Sequence, residues 1–283
     1  MQDKYALTDE AAAVLRRFDN PEPPPIVYHY TSLETALKIL NGFEVWCVDV
    51  AFSNDPSEGL HGRKIIAEAL AADPSVWMER AQLITDDIAC YASSFSAEPD
   101  LLTQWRYYAA NGTGVAVGID RAALESRTNV TFSTVVYDRK VQLQLVSEVL
   151  SVFRQAVEDA SSDEGKLLPL VSSVALYSVI LQAILKNPAY SPENEYRLFD
   201  ALPKDEKHHA TSLKHFQRGG QQVPYFPVDL RDSTAASAAC PIREVWVGPC
   251  LDLAAATADL QSTVAYQLGK FQIARSEVPM RCG

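Results

Sequence analysis

The sequence contains few cysteines, and their spacing argues against two common kinds of stabilising site. Its 283 residues include five cysteines, which stand far apart and form no C-x-x-C motif: Cys47, Cys90, Cys240, Cys250 and Cys282. An odd number of scattered cysteines fits neither a zinc site nor a disulfide framework. Scattered cysteines without a pairing motif are typical of proteins in a reducing compartment, so we expect a cytoplasmic protein.

Positive charge is also scarce. The chain has 25 Lys and Arg residues against 36 Asp and Glu residues, which gives a formal net charge of -11. This excess of negative charge works against non-specific binding to nucleic acid or to anionic membranes. Asp3, Lys4, Asp9 and Glu10 precede any apolar run, so no secretory signal is visible. We expect no membrane partner and no strong nucleic-acid-binding surface.

The glycine motifs that bind phosphates or expose a nucleophile are missing. The sequence has no G-x-G-x-x-G after a strand, no G-x-x-x-x-G-K-[ST] and no G-x-S-x-G. Rossmann, P-loop and serine-hydrolase functions therefore have no support. Gly112-Thr113-Gly114 is a short turn and indicates nothing more.

One uncharged segment is long enough to raise the question of a membrane span. Nineteen residues, Leu167 to Leu185, separate Lys166 from Lys186. Pro169 and several serines dilute the segment, and a span would place the charged motifs before and after it on opposite sides of a membrane. We predict a buried core helix, with a transmembrane helix as the alternative.

The order of elements predicts an α+β protein with an N-terminal appendage. A helix from about Thr8 to Phe18 is followed by a proline-rich run, so we assign residues 1–23 to a helical arm with a linker. Strands and helices then alternate irregularly, which favours a single domain over 24–283 with a mixed central sheet and flanking helices. Two long helices, at about 139–187, form a helical insertion in it.

The stretch from Ser191 to Phe199 combines charge and apolar residues in a strand-like pattern. In a strand, Glu193, Glu195 and Arg197 share one face, opposite the apolar side chains. One interpretation is a catalytic glutamate with a second carboxylate and an orienting arginine. The other, which these nine residues alone favour, is a solvated face whose charges pair loosely.

Two further groups of polar and aromatic residues are candidates for ligand binding. His29 and Thr31 share one face at the end of the first strand, where they can hold a ribose or a phosphate. The alternative for His29 is a structural bond to the backbone. Ser94 lies near the aromatic residues Trp105 and Tyr108, a set that suits either a planar ring or the core.

An acidic loop offers a metal-dependent alternative. The loop Asn54-Asp55-Pro56-Ser57-Glu58 reads first as a turn before a helix. Asp55 or Glu58, together with Glu193 and Glu195, could instead hold magnesium or manganese. No closely spaced ligand motif supports that site, so we predict no metal.

The ordered motifs resemble a large bacterial family of unknown function that is sometimes associated with phage-defence loci. The resemblance runs from about Ile26 to the C-terminus. It consists of H-Y-T-S (29–32), N-D-P-x-E (54–58), S-F-S (94–96), W-x-x-Y (105–108), G-x-G-V (112–115), E-x-E-x-R (193–197) and P-I-x-E-V-x-x-G-P (241–249).

The first strand with its histidine and the late E-x-E strand are also distantly similar to the ADP-ribosyltransferase fold. That resemblance implies NAD as a substrate, held by His29 and Thr31. It implies a nicotinamide pocket lined by Ser94 and by Phe95 or Trp105.

The same resemblance assigns the chemistry to the late strand. Glu195 would be catalytic, Glu193 would orient or deprotonate the acceptor, and Arg197 would keep Glu195 ionised. The leading hypothesis is thus an NAD-using transferase or hydrolase whose macromolecular acceptor is unknown. The alternatives are a non-catalytic nucleotide- or partner-binding module of a defence system and a metal-dependent nuclease.

Overall fold

A mixed β-sheet forms the centre of the molecule. The computed structural model describes residues 2–53, 59–71, 85–127, 130–160, 162–204, 213–231 and 240–282. The loop Asn54 to Glu58 lies outside these ranges, and so does most of a helix that the sequence predicts from about Val76 to Asp86. Within them, ten strands join in one sheet, which confirms the predicted α+β class.

The strands are mostly antiparallel, and only β9 and β10 pair in parallel among the described strands. Their order along the sheet is β10-β9-β4-β1-β3-β2-β8-β7, while β6 pairs with β3 and β5 pairs with β6. The bounds are β1 Ile26–Thr31, β2 Glu44–Asp49, β3 Ile88–Ser96, β4 Val115–Asp120, β5 Thr131–Thr134, β6 Glu195–Pro203, β7 Lys214–Arg218, β8 Gln221–Asp229, β9 Ile242–Val247 and β10 Gln272–Arg275.

Helices cover both faces of the sheet. One apolar cluster joins α1, α3, α6 and α7 to β6, and a second joins α2, α8 and α9 to strands on the opposite face. The bounds are α1 Gln2–Arg17, α2 Leu33–Gly42, α3 Leu60–Ala71, α4 Leu102–Tyr107, α5 Arg121–Glu125, α6 Arg139–Asp159, α7 Glu164–Ile184, α8 Leu253–Gln261 and α9 Val264–Gly269.

The structure contains two long helices, α6 and α7, in the segment that the sequence predicts to be helical; their assignment as an insertion stays a prediction. Asp138 and Asp163 accept hydrogen bonds from the first free N–H groups of these helices, which fixes their starts. By length and composition α7 is apolar enough to cross a membrane, but 61% of its most apolar stretch is buried inside the protein. This burial supports the prediction of a core helix.

The N-terminal helix contacts the helical layer. Ala11 and Val14 of α1 are buried in the cluster that also contains α6 and α7. The predicted division into an arm and a main domain stays a prediction.

A disulfide corrects the interpretation of the cysteines. Cys250 and Cys282, 32 residues apart, form a disulfide between the turn after β9 and the C-terminal segment. Cys47, Cys90 and Cys240 form no disulfide. The expectation of no disulfide was wrong because a single long-range pair leaves no motif in the sequence.

The sheet divides along one edge of β3. Strand β6 occupies one edge of β3 along its whole length. Strands β1 and β2 share the opposite edge. There β1 meets β3 only at Tyr28 and Ser96, and β2 meets it only near Ala92. Between these points β1 and β2 separate, and the part of β3 from Ser93 to Phe95 has no described strand partner on that edge.

Candidate functional site

A pocket of about 620 Å³ lies where β1 and β2 separate. This volume is within the range of small-molecule sites. The fold brings eight of the nine predicted site residues to its wall, although they come from four separate segments of the chain: His29, Thr31, Ser94, Phe95, Tyr108, Glu193, Glu195 and Arg197.

Glu195 is held by two cations at the first residue of β6. Its Oε1 accepts from Arg197 Nε at 2.6 Å, and its Oε2 accepts from Arg197 Nη2 at 3.2 Å. Lys186 Nζ donates to the same Oε2 at 2.8 Å. Tyr137 fixes the backbone by accepting from the Glu195 N–H at 3.2 Å. The carboxylate is therefore fixed in position on both of its oxygens.

Glu193 reaches the same cluster from a turn and not from the strand. Pro188–Glu193 forms a 3-10 turn, and Asn194 has a left-handed backbone conformation (φ 44°), so β6 begins only at Glu195. The predicted strand from Ser191 was wrong at this end. Glu193 Oε2 accepts from Lys186 Nζ at 2.6 Å, and Tyr108 Oη lies 3.4 Å from Glu193 Oε1.

These charges are buried, so the interpretation as a solvated face was wrong. Glu195 is 3% exposed and Arg197 is 2% exposed. The C-terminal end of α7 covers them, and Arg197 Nη1 donates to the Ala183 carbonyl at 2.6 Å. Among the described residues, two carboxylates and two cations thus form one buried cluster at the pocket, which consists of Glu193, Glu195, Lys186 and Arg197.

Glu195 and Lys186 stay charged over a wide pH range. Burial alone would raise the pKa of Glu195, but the positive charges of Arg197 and Lys186 outweigh it and lower that pKa to about 2. Burial alone would lower the pKa of Lys186, but the Glu195 carboxylate raises it above its ordinary value. At neutral pH Glu195 is a carboxylate that accepts hydrogen bonds and is a weak base.

Lys186 is the site residue that the sequence interpretation missed. It follows α7 directly, and the sequence presented it only as the charged end of an apolar helix. The available signal was its position seven and nine residues before Glu193 and Glu195, on the C-terminal side of a segment predicted to be buried.

His29 presents a hydrogen-bond acceptor to the pocket. Its Nδ1 lies 3.0 Å from the Ser94 carbonyl oxygen, which can only accept, so we assign the ring proton to Nδ1. Burial lowers the pKa of His29 and outweighs this bond, so the ring is neutral at pH 7. Nε2 is then an acceptor, which suits a ligand hydroxyl and not a phosphate. The ring also packs against Phe95, with centroids 5.6 Å apart.

A second serine of β3 has an unsatisfied hydroxyl in the pocket wall. Ser93 is 4% exposed, and its Oγ has no hydrogen-bond partner among the described residues. An unpaired buried hydroxyl is unfavourable unless a ligand or a water completes it. Ser93 is thus an unsatisfied polar group in the wall, with its hydroxyl buried, beside the exposed Ser94.

Trp105 does not reach the pocket wall. It is fully buried, its Nε1 donates to Asp100 Oδ1 at 2.6 Å, and its ring meets that of Tyr30 edge-on. Asp100 also accepts from the Ser276 hydroxyl, so it joins α4 to the C-terminal segment. Trp105 thus supports the pocket wall indirectly, because it packs against Tyr30, which lines the pocket.

Another part of the pocket is aromatic and carries charges of both signs. Trp46 stacks on Tyr225 with centroids 4.3 Å apart, and Phe216 of β7 lies 5.6 Å from Trp46. Lys38 of α2 lines the pocket together with Glu34, whose carboxylate accepts from Lys38 Nζ at 2.8 Å. This part of the pocket could bind a planar ring.

The metal hypothesis gains no support from the described residues. No group of three or more His, Cys, Asp or Glu side chains among them is arranged to hold a metal ion. Asp55 and Glu58 lie outside the described residues. Glu193 and Glu195 both bind the Lys186 ammonium, which stands between their carboxylates where a bridging metal would stand.

Comparison with known families identifies one domain. A family model described as "Protein of unknown function (DUF2971)" matches residues 104–198, about a third of the chain. The range contains Glu193, Glu195 and Arg197 but neither His29 nor Ser94. The resemblance to a family of unknown function is confirmed for this range.

No curated protein matches the chain, and no solved structure matches it. None of these comparisons relates it to ADP-ribosyltransferases.

Proposed function

We propose that this protein binds NAD in the pocket between β1 and β2 and cleaves the bond between nicotinamide and ribose. The acceptor is water or a macromolecule. The observation that supports this most is the fixed, ionised carboxylate of Glu195 at the inner end of a pocket of nucleotide size.

The chemistry requires such a carboxylate. When the glycosidic bond breaks, positive charge develops on the ribose ring, and a negative group held in place stabilises it most in the transition state. Glu195 has an acceptor oxygen, Oε1, for which the structure describes only the bond from Arg197 Nε. A ribose hydroxyl can donate to it. Because the pKa of Glu195 is low, it acts by charge and hydrogen bonding and not by removing a proton.

The other pocket residues fit the binding of a nucleoside. The neutral His29 Nε2 can accept from a second ribose hydroxyl. Glu193, with one oxygen toward Lys186 and one toward Tyr108, lies next to Glu195, where it can orient an attacking hydroxyl. These roles are part of the proposal.

One observation favours a second candidate, a module that binds a nucleotide without cleaving it. The charges of Glu193 and Glu195 are already balanced by Lys186 and Arg197, which reduces the negative potential available to a developing cation. A balanced cluster of this kind can serve binding and specificity alone.

Nicotinamide release from NAD separates these candidates. The purified protein, Glu195→Gln and a control, Asp200→Asn, are compared with and without EDTA; Asp200 lies on the same strand but outside the pocket. We expect release that survives EDTA, persists in the control and disappears in Glu195→Gln.

Binding of NAD without release would support the second candidate. The absence of both release and binding would contradict the proposal.

A further inference from the structure

We propose that Lys186 is a positioning residue whose ammonium takes the place of a metal ion between Glu193 and Glu195. The role of Lys186 in catalysis rests on the proposed function, but its role as the cation that bridges the two carboxylates does not. The ammonium lies 2.6 Å from Glu193 Oε2 and 2.8 Å from Glu195 Oε2, so it bridges two carboxylates. A divalent cation would bridge two such oxygens in the same way.

The chain holds this lysine in place from several sides. The Lys186 N–H donates to the Val136 carbonyl, and the Lys186 carbonyl accepts from Gln142 Nε2 at 2.7 Å. Gln142 is fully buried and also donates to the Val136 carbonyl at 2.6 Å, so it joins the two segments. The ammonium also lies 5.1 Å from the centre of the Tyr190 ring. Only 9% of the lysine side chain is exposed.

Two buried carboxylates this close together need a positive charge between them. Of the two glutamates, Arg197 contacts Glu195 and not Glu193. Lys186 is therefore the only described cationic partner of Glu193. Without the ammonium, the two glutamates would repel each other, and Glu193 would be a buried charge without compensation. Lys186 therefore sets the position of Glu193 directly and shares the positioning of Glu195 with Arg197.

The consequence is a two-carboxylate site that needs no metal ion. In the proposed reaction, Lys186 keeps Glu195 at its place without touching the sugar. A displacement of about 1 Å can reduce a rate on the order of a hundredfold. We expect Lys186→Met to lower kcat by roughly tenfold to a hundredfold with little change in KM, and Lys186→Arg to retain much of the activity because it keeps the charge.

The cation role is tested by thermal unfolding, without NAD. Lys186→Met should have a lower Tm than the wild type in EDTA. Millimolar Mn²⁺ or Ca²⁺ should raise the Tm of Lys186→Met, because the vacated position can accept a divalent cation. The same ions should change the Tm of three other proteins much less. The wild type keeps the ammonium, and Lys186→Arg carries a guanidinium in its place. The double variant Lys186→Met/Glu193→Gln has lost one of the two carboxylate ligands.

The proposal is overturned if Lys186→Met is as stable as the wild type, or if divalent cations stabilise it no more than Lys186→Arg. If Lys186→Met cannot be recovered folded, the double variant decides, because it removes one charge of each sign. A folded double variant supports the proposal and an unfolded one contradicts it. These outcomes are independent of nicotinamide release, so failure of the NAD proposal is distinguishable from failure of the cation role.

Discussion

Replacement of Arg197 by methionine removes the guanidinium that holds Glu195. The change deletes the hydrogen bonds from Nε and Nη2 to the Glu195 carboxylate and the bond from Nη1 to the Ala183 carbonyl. Loss of one partner from a buried ion pair costs about 3–5 kcal/mol. Because Lys186 still contacts Glu195, we expect the lower end, a loss of about 3 kcal/mol. For a domain of this size that corresponds to a fall in Tm of roughly 6–12 °C.

The assay is urea unfolding followed by tryptophan fluorescence, with Arg17→Met as the matched control. Arg17 pairs with Glu148 on the surface, where the two side chains are 64% and 33% exposed. A surface pair contributes about 0–1 kcal/mol, so the control should unfold almost like the wild type. A double variant, Arg197→Met/Glu195→Leu, should recover much of the lost stability, since it leaves no unpaired partner in this pair. If Arg197→Met costs no more than Arg17→Met, the argument that the buried cluster is tightly coupled is refuted.

Three further changes test other parts of the structure. Ser93→Ala should raise the free energy of unfolding by about 1 kcal/mol in urea unfolding, because it removes an unsatisfied buried hydroxyl; a loss of stability would contradict this. Acidification should weaken NAD binding only below the ordinary pKa range of histidine, because burial lowers the pKa of His29 and the ring gains its second proton, which turns Nε2 into a donor, only at correspondingly lower pH; His29→Gln should lose this dependence in calorimetric titrations, and an unchanged profile would contradict the assignment. Cys282→Ser should reduce the free energy of unfolding by about 2–4 kcal/mol, because the disulfide to Cys250 closes a loop of 32 residues; a reductant should destabilise the wild type in the same way and leave the variant unchanged.

Much of the fold follows from local pattern. Strands such as β1, β4 and β9 are short apolar runs bounded by turn residues, and Ser32, a residue type that favours helix starts, caps α2 by accepting from the Thr35 N–H. The sequence favours Gly42 for the left-handed conformation that ends this helix, but Phe43 adopts it (φ 55°). The Phe43 side chain is buried in the core, and its N–H donates to the Ile39 carbonyl at 2.7 Å. Tertiary burial thus overrides the local preference for glycine.

The site was visible from the sequence as a set of residue types but not as a geometry. The alternation of Glu195 and Arg197 with apolar residues looks like one exposed strand face, and only the packing of α7 shows that both faces are buried. The partner of His29, the Ser94 carbonyl, is 65 residues away and belongs to the backbone, so no side-chain motif indicates it. In the sequence Lys186 reads only as a helix boundary, because the turn that brings its two partners back to it has the pattern of a strand.

The most direct test of the central claim is calorimetric titration of NAD into the wild type and Ser94→Trp. Ser94 is exposed and lines the pocket, so an indole at this position fills the space between β1 and β2 without displacing the core. Ser151→Trp, at an exposed position of α6, is the control, and circular dichroism verifies that both variants fold. We predict that NAD binds the wild type and Ser151→Trp with equal affinity and does not bind Ser94→Trp. Equal binding by all three proteins, or no binding by the wild type, would contradict the account.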